Sequence, residues 1–133
     1  MKKTNRLRLN YEFSRVYNKG RFIVGRYVVL HYLRRSGKIN RLGVTASRKI
    51  KGSVRRNRIK RLLRESFRQL EMHLRPGYDI ILVGRENQEQ PDFSLIHQEV
   101  RRLLDKAGIS RSDASYPELI GGTPPEEDRK AER

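Results

Sequence analysis

The sequence contains no cysteine and no tryptophan, and only three of its 133 residues are histidine. Without cysteine the chain forms no disulfide, carries no thiolate nucleophile and offers no cysteine ligand to zinc. Three separated histidines are also few for a metal centre. Thiol redox chemistry is therefore excluded, and we expect no metal-ligating residue in the protein.

Long apolar runs are also missing. The longest uninterrupted stretches, such as 27–30 and 80–83, have four residues, whereas a helix that spans a bilayer needs about 20. The charged N-terminus leads into polar residues rather than an apolar segment, so it does not resemble a secretory signal. We therefore expect a cytoplasmic protein that does not enter a membrane.

Acidic residues are scarce beside basic ones: 15 Asp and Glu stand against 31 Lys and Arg, a formal net charge of +16. So large a charge of one sign on a small chain repels itself unless an anionic partner is present. Nucleic acid is the partner that this composition favours. A membrane-surface protein is the weaker alternative, because it would need an amphipathic helix with apolar anchors opposite its cations.

The charge is uneven along the chain. Residues 111–133 hold four basic and six acidic residues, Gly-Gly and Pro-Pro pairs, and few large apolar side chains. Such a composition buries too little surface to offset the entropy of the chain. We expect one domain over residues 1–110 and a disordered acidic tail over 111–133.

Hydrophobic periodicity predicts the secondary structure of the domain. The predicted elements are a helix over 11–19 capped by Asn10 and ended by Gly20, a weakly indicated strand over 21–24, strands over 27–33 and 41–47, a helix over 53–74, a strand over 78–84, and a helix capped by Asp92 or Ser94 and ended by Gly108. The strands over 27–33 and 41–47 should pair as an antiparallel hairpin. The nearly all-apolar strand over 78–84 is typical of a central strand. The order α-β-β-β-α-β-α predicts an α/β fold, an α+β sandwich around a mixed sheet of about four strands.

The most distinctive segment is a basic helix. Residues 48–68 hold ten Lys and Arg and a single acid, and the apolar residues of the helix fall on one face. Arg56, Lys60, Arg64 and Arg68 follow one another at i,i+4, where like charges repel by about 0.2–0.5 kcal/mol per pair. Phosphates would neutralise this row and release counterions. The helix is therefore predicted to bind a nucleic-acid backbone; the alternative is a merely solvated basic face.

The string from Ser47 to Glu65, SRKIKGSVRRNRIKRLLRE, resembles the signature of the bacterial ribonuclease P protein subunit. The resemblance covers roughly residues 5–108 and includes NRLR at 5–8, Phe13, Gly20, GV at 43–44 and GYDII at 77–81. Two positions depart from the family pattern. KGSV at 51–54 replaces the usual Gly-Asn-Ala-Val, and His31 stands at a strand position that is commonly aromatic.

This resemblance implies a left-handed βαβ crossover at the basic helix, against the usual right-handed rule. It also implies an endoribonuclease subunit that helps a catalytic RNA to remove the 5′ leader of precursor tRNA, with the chemistry carried by the RNA. The implied partners are ribonuclease P RNA and precursor tRNA, with no DNA and no membrane. The implied cofactors are the RNA itself and Mg²⁺ held mainly by that RNA.

The resemblance also assigns two sets of binding residues, and no catalytic residue in the protein. The set for the RNA subunit is Arg48, Lys49, Lys51, Arg56, Asn57, Lys60, Arg61, Arg64 and Arg68. The set for the leader, in a cleft between the first helix and the sheet, is Phe13, Tyr17, Tyr27 and His31. Aromatic faces stack on unpaired bases of any sequence, at about 1–3 kcal/mol per base.

Two other classes of function stay open. A ribosomal or other structural RNA-binding protein would explain the charge, and it would bind ribosomal RNA. A protein-only nuclease would cleave without an RNA cofactor, and it would need two of His31, His73 and His97 to converge on one phosphate.

The acidic residues of the domain do not suggest a magnesium site. They are dispersed along the sequence, and Glu86, Glu89 and Asp92 come nearest to a group. These three stand in a polar segment that is typical of a solvated loop. Asp79, at the start of the apolar strand, is predicted to accept structural hydrogen bonds.

Overall fold

The computed structural model describes residues 4–35 and 37–110. Its helices and strands in chain order are β1 (Thr4–Arg6), α1 (Asn10–Lys19), β2 (Arg21–Val24), β3 (Val28–Arg34), β4 (Asn40–Ala46), α2 (Ser53–Leu70), β5 (Tyr78–Gly84) and α3 (Phe93–Lys106). A short 3-10 turn, Glu71–His73, follows α2. The predicted tail over 111–133 lies outside the described residues. None of the described helices is long and apolar enough to cross a membrane.

The five strands form one mixed sheet in the order β1-β4-β5-β3-β2. β5 pairs in parallel with β4 and antiparallel with β3, which confirms its predicted central place. The predicted hairpin is wrong, because β3 and β4 lie on opposite sides of β5. A β3–β4 hairpin would leave this apolar strand at an edge, where one row of its backbone N–H and C=O groups has no strand partner.

β1 is a fifth strand that the sequence pattern did not predict, because its three residues are polar. It pairs in parallel with β4 at one edge of the sheet. β2 pairs antiparallel with β3 at the other edge, which confirms the weakly indicated strand. The mixed α+β fold is thus confirmed, with five strands rather than four. The left hand of the β4–α2–β5 crossover stays a prediction.

Alternate residues of β5 face the two sides of the sheet. Ile80 and Leu82 belong to the larger core, which α2 and α3 cover. Ile81 belongs to a smaller core with Val16 of α1, and Val83 packs against it. A single helix therefore covers one face of the sheet, and that face has room for a cleft.

The start of α1 differs from the prediction. Asn10 is the first helical residue rather than the cap, which is Leu9. The carboxylate of Glu12 accepts hydrogen bonds from the backbone N–H groups of Arg8 and Leu9, at 2.9 and 3.1 Å. Because these bonds favour the charged carboxylate, they lower the pKa of Glu12. The helix start is thus stabilised by an acidic side chain within its first turn.

The predicted end of α1 and the predicted cap and terminating glycine of α3 are confirmed, although Gly20 is required for a different reason. Gly20 ends α1 in an extended conformation, and a Cβ added there would lie 2.3 Å from the carbonyl oxygen of Tyr32. Close backbone approach, rather than a left-handed turn, therefore requires this glycine. Asp92 caps α3 by accepting a hydrogen bond from the Leu95 N–H at 2.9 Å. Gly108 follows α3 with a φ of +79°, as a C-terminal glycine should.

Candidate nucleic-acid interface

α2 has an apolar side and a cationic side, as its sequence predicted. Ile59, Leu63 and Phe67 are buried in the larger core. The exposed side carries Asn57, Arg61, Arg64 and Arg68. The helix is shorter than the predicted span over 53–74, since its α-helical part ends at Leu70. Its core contacts fix the direction in which the exposed cations point.

Two cations of the predicted i,i+4 row have partners within the protein. Arg56 Nη1 donates a hydrogen bond to the carbonyl oxygen of Ile50 at 2.8 Å. Arg68 Nη2 lies 2.5 Å from Glu65 Oε2, and this contact is the main cause of the lowered pKa of Glu65. The charge of Arg68 is therefore balanced within the protein, whereas Arg56 keeps its charge and has one of its donors satisfied.

Arg61 and Arg64 are different. Both are exposed, and within the described part of the chain neither has an acidic partner. Guanidinium groups bind phosphate oxygens through planar pairs of hydrogen bonds. The middle of α2 is therefore the part of the helix whose guanidinium groups are most available to bind a phosphate backbone.

A groove, here called the basic groove, lies between the end of β4 and α2. Arg48, Arg56 and Lys60 line it together with residues 44–46 of β4, and its volume is about 470 Å³. No carboxylate is among these lining residues. Lys51 lies exposed in the loop before α2. The groove extends the cationic surface of α2 toward the sheet.

A larger cleft opens between α1 and the sheet, with a volume of about 630 Å³. Its lining residues are Ser14, Tyr17 and Asn18 of α1, Val29 and His31 of β3, Val83 of β5, and Ser47, Lys49, Arg85 and Glu86 beyond the strand ends. The ring of Tyr17 meets that of His31 edge-on, with centroids 4.7 Å apart. The ring centroid of Phe22, a residue of β2, lies 5.3 Å from that of His31 on β3. The cleft therefore combines an aromatic floor with polar and charged walls.

The structure brings together two of the four predicted leader-binding residues, Tyr17 and His31. Phe13 is not in the cleft lining: its ring packs over Gly43, where an added Cβ would lie 2.6 Å from ring carbons. Tyr27 is buried in the larger core, and its N–H donates to Glu99 Oε2 at 2.6 Å. Phe13 thus lies outside the cleft lining and Tyr27 is buried, and contact of these two residues with the leader stays a prediction.

Sequence reasoning missed most of the polar lining. Ser14 and Asn18 share a helix face with Tyr17, so helical spacing could have identified them. Arg85 and Glu86 directly follow the central strand, but the sequence did not show which strands flank it. Lys49, which was predicted to bind the RNA subunit, lines this cleft, and its binding partner stays a prediction.

Asp79 connects the elements that frame this face of the sheet. Its side chain is fully buried, and it accepts hydrogen bonds from Arg35 Nε at 2.7 Å and from Arg41 Nε and Nη2 at 2.8 Å. Burial acts to raise the pKa of Asp79, but the two arginines outweigh it and lower that pKa. Arg41 Nη1 also donates to Glu12 of α1 at 2.7 Å. The predicted structural role of Asp79 is confirmed, and the network ties α1 to β4 and β5.

A sequence profile of the family described as Ribonuclease P matches residues 1–108 of the chain. The chain belongs to the ribonuclease P family. Curated relatives named ribonuclease P protein component, from Caldanaerobacter subterraneus and Clostridium botulinum strain Loch Maree, are both 41% identical to it. The matches span 107 and 108 residues, which is 80% of this chain and 92% and 97% of theirs.

Solved ribonuclease P proteins share the fold. The RNase P protein of Staphylococcus aureus superposes with a TM-score of 0.72 at 29% identity, over 79% of this chain and 96% of that one. The protein of Thermotoga maritima gives a TM-score of 0.69 at 29% identity, over 77% and 96%. The family resemblance predicted from the basic helix is therefore confirmed, and with it a role as the protein component of ribonuclease P.

In this ribonuclease P family member the three histidines lie apart in the fold. His31 lines the cleft, His97 stacks on Phe93 of α3 with centroids 5.4 Å apart, and His73 lies in the turn after α2. α3 covers the sheet face opposite the cleft. Across residues 4–35 and 37–110, no three His, Asp or Glu side chains form a metal-binding group.

Proposed function

We propose that this protein component binds two RNAs: the catalytic RNA of ribonuclease P and the single-stranded 5′ leader of precursor tRNA. The observation that carries the proposal is the pairing of an aromatic cleft with a separately facing cationic helix on one small domain. The RNA subunit then cuts the leader by metal-assisted hydrolysis, and no protein residue serves as nucleophile or general base. The protein screens the repulsion between two polyanions.

The RNA subunit is the partner proposed for α2 and the basic groove. Arg61 and Arg64 bind its phosphates. Asn57, in the first turns of the helix, donates hydrogen bonds to the RNA backbone or to base edges, or accepts them. Because apolar residues fix the opposite side of α2 in the core, the cations are presented by a rigid element. A preformed helix avoids the entropy cost of ordering the backbone on binding, so that the exposed side chains are the groups that lose freedom.

The leader is the partner proposed for the cleft. Tyr17 and His31 offer ring faces and edges to unpaired bases, and the polar walls tolerate different base edges. A volume of about 630 Å³ lies within the range of about 300–1,000 Å³ that is common for binding pockets. Stacking without base readout fits a substrate class with variable leaders.

Mg²⁺ is proposed to bind mainly to the RNA. Divalent magnesium takes several oxygen ligands, whereas Glu86 is the single carboxylate in the cleft lining. The buried carboxylate on the same face, Asp79, is already engaged by Arg35 and Arg41. Among the described residues the side chains of this face do not fit a magnesium site, so the protein would raise metal affinity by drawing RNA phosphates together.

Reconstitution tests the proposal. Precursor tRNA is incubated at physiological salt and low Mg²⁺ with the protein, with a bacterial ribonuclease P RNA, and with both. We expect cleavage at the mature 5′ end only in the mixture. Cleavage by protein that is free of RNA would favour a protein-only nuclease, and an inert mixture with an RNA shown to be competent at high Mg²⁺ would favour a structural RNA-binding protein.

Replacing Tyr17 by alanine is expected to weaken holoenzyme binding of precursor tRNA by about tenfold, since one base–aromatic stack contributes about 1–3 kcal/mol. Binding of mature tRNA should not change, because it lacks a leader. The matched control is Tyr11→Ala on the same helix, since Tyr11 is 66% exposed and is not among the cleft residues. Equal losses for precursor and mature tRNA would remove Tyr17 from the leader site.

A further inference from the structure

The loop after β4 forms a ridge between the cleft and the basic groove. Ser47 and Lys49 line the cleft, whereas Arg48 between them lines the groove. The ridge, residues 47–49, is held by backbone hydrogen bonds from the Ser47 N–H to the Gly84 carbonyl at 2.8 Å and from the Ile50 N–H to the Ser47 carbonyl at 3.1 Å. Successive side chains of this fixed segment therefore face opposite sides.

Each side of the ridge presents one cation without an acidic partner. Arg48 and Lys49 are both exposed, and neither forms an ion pair within the described residues. Arg48 joins Arg56 and Lys60 around a groove whose lining has no carboxylate. Lys49 lies on a cleft whose other wall carries Tyr17. Two adjacent cations thus line two different cavities: Lys49 lines the cleft, which contains aromatic rings, and Arg48 lines the basic groove.

Two RNA strands on either side of this ridge would repel each other. The backbone of the ridge is thin, since consecutive Cα atoms are about 3.8 Å apart, but the side chains of Arg48 and Lys49 face opposite sides and hold their phosphates farther apart than that. The distance between the phosphates is then comparable with the screening length of about 8 Å at physiological salt, so salt removes only part of the repulsion. A cation facing each strand offsets that repulsion where the strands come closest.

We propose that the ridge separates the two RNAs, with Lys49 bound to a phosphate of the leader and Arg48 bound to a phosphate of the RNA subunit. The inference rests on the proposed function and adds to it an assignment of two adjacent residues to different RNAs. It assigns Lys49 to the leader, whereas the family resemblance assigned it to the RNA subunit. The exposed ammonium of Lys49 meets a phosphate of any leader as a point charge, which preserves tolerance to leader sequence.

The test compares Arg48→Ala with Lys49→Ala, which remove the same formal charge from neighbouring exposed positions. Two quantities are measured: the affinity of the protein for the RNA subunit across a salt series, and the ratio of holoenzyme affinities for precursor and mature tRNA. Arg48→Ala should lower the salt slope of RNA-subunit binding by about 0.7–0.9 and keep the ratio. Lys49→Ala should keep that slope and lower the ratio about threefold.

Lys38→Ala is the control, because Lys38 is exposed in the β3–β4 connection and lines neither concavity. Unfolding curves of all variants should coincide with that of the original chain. If Arg48→Ala and Lys49→Ala change both quantities alike, or exchange their effects, the ridge proposal is wrong while the proposed function stands. If the unaltered chain does not restore cleavage to the RNA, the proposed function itself has failed.

Discussion

Replacing Asp79 by alanine is expected to lower the free energy of unfolding by about 3 kcal/mol, since removing one partner of a buried ion pair costs about 3–5 kcal/mol. The change leaves Arg35 and Arg41 facing each other without the carboxylate that accepts their hydrogen bonds. We take the lower end of the range because the arginine side chains are 20–25% exposed, and water can partly solvate them. Urea denaturation at pH 7 measures the change.

Glu89→Ala is the matched control for Asp79→Ala. Both changes remove one negative charge from a strongly basic chain, but the side chain of Glu89 is exposed in the polar loop before α3. Surface substitutions of this kind change stability by about 0.5 kcal/mol or less. A similar loss in both variants would mean that net charge, rather than the Asp79 network, determines the effect.

The same network predicts a pH dependence. The pKa of Asp79 is lowered in the folded chain, so its contribution is complete above the unfolded value of about 3.9 and is lost as the pH falls through the folded pKa. Unfolding free energies measured between about pH 2 and 6 should therefore decline less steeply with acid in Asp79→Asn than in the original chain. Parallel curves for the two proteins would contradict the assignment.

Replacing both Arg61 and Arg64 by alanine is expected to give the largest loss of affinity for the RNA subunit. Each lost phosphate contact lowers the slope of log affinity against log salt by about 0.7–0.9, which is about 1.4–1.8 for two contacts. If such contacts vanish near 1 M salt, the same slope corresponds to a loss of about 100-fold at 50 mM salt. Filter binding to the RNA subunit over a salt series measures both quantities.

The control for that pair is Lys38→Ala with Arg75→Ala. It removes the same two charges from exposed positions where the chain enters β4 and β5, away from the exposed side of α2. This variant should keep the salt slope of the original chain. An unchanged slope in the Arg61 and Arg64 variant would exclude the middle of α2 from the RNA interface.

Local sequence patterns accounted for most elements of this fold. Helical spacing placed Ile59, Leu63 and Phe67 on one buried face, and the apolar run over 78–84 predicted a central strand with matching bounds. Most residues that begin or end a helix could be predicted from the sequence, since Asp92 and Gly108 act at the ends of α3 as expected. These features depend on neighbours within a few residues, so the sequence carries them directly.

The cleft was predicted only in part. Tyr17 and His31 were identified through family resemblance, and they do line it. The ridge could not be predicted, because which side of the chain Arg48 and Lys49 face depends on how the end of β4 sits beside β5. Glu99 was also missed: it is buried, and it accepts N–H hydrogen bonds from residues more than seventy positions away.

The sequence by itself determined the basic side of α2, the helices, the central strand and the family. Only the tertiary structure decided that β5 lies between β3 and β4, that the polar segment at residues 4–6 is a strand, and that Phe13 and Tyr27 pack in cores. The physical reason is the range of the interactions. Helical periodicity and capping act over a few residues, whereas strand order minimises the exposed apolar surface and unpaired backbone groups of the whole chain.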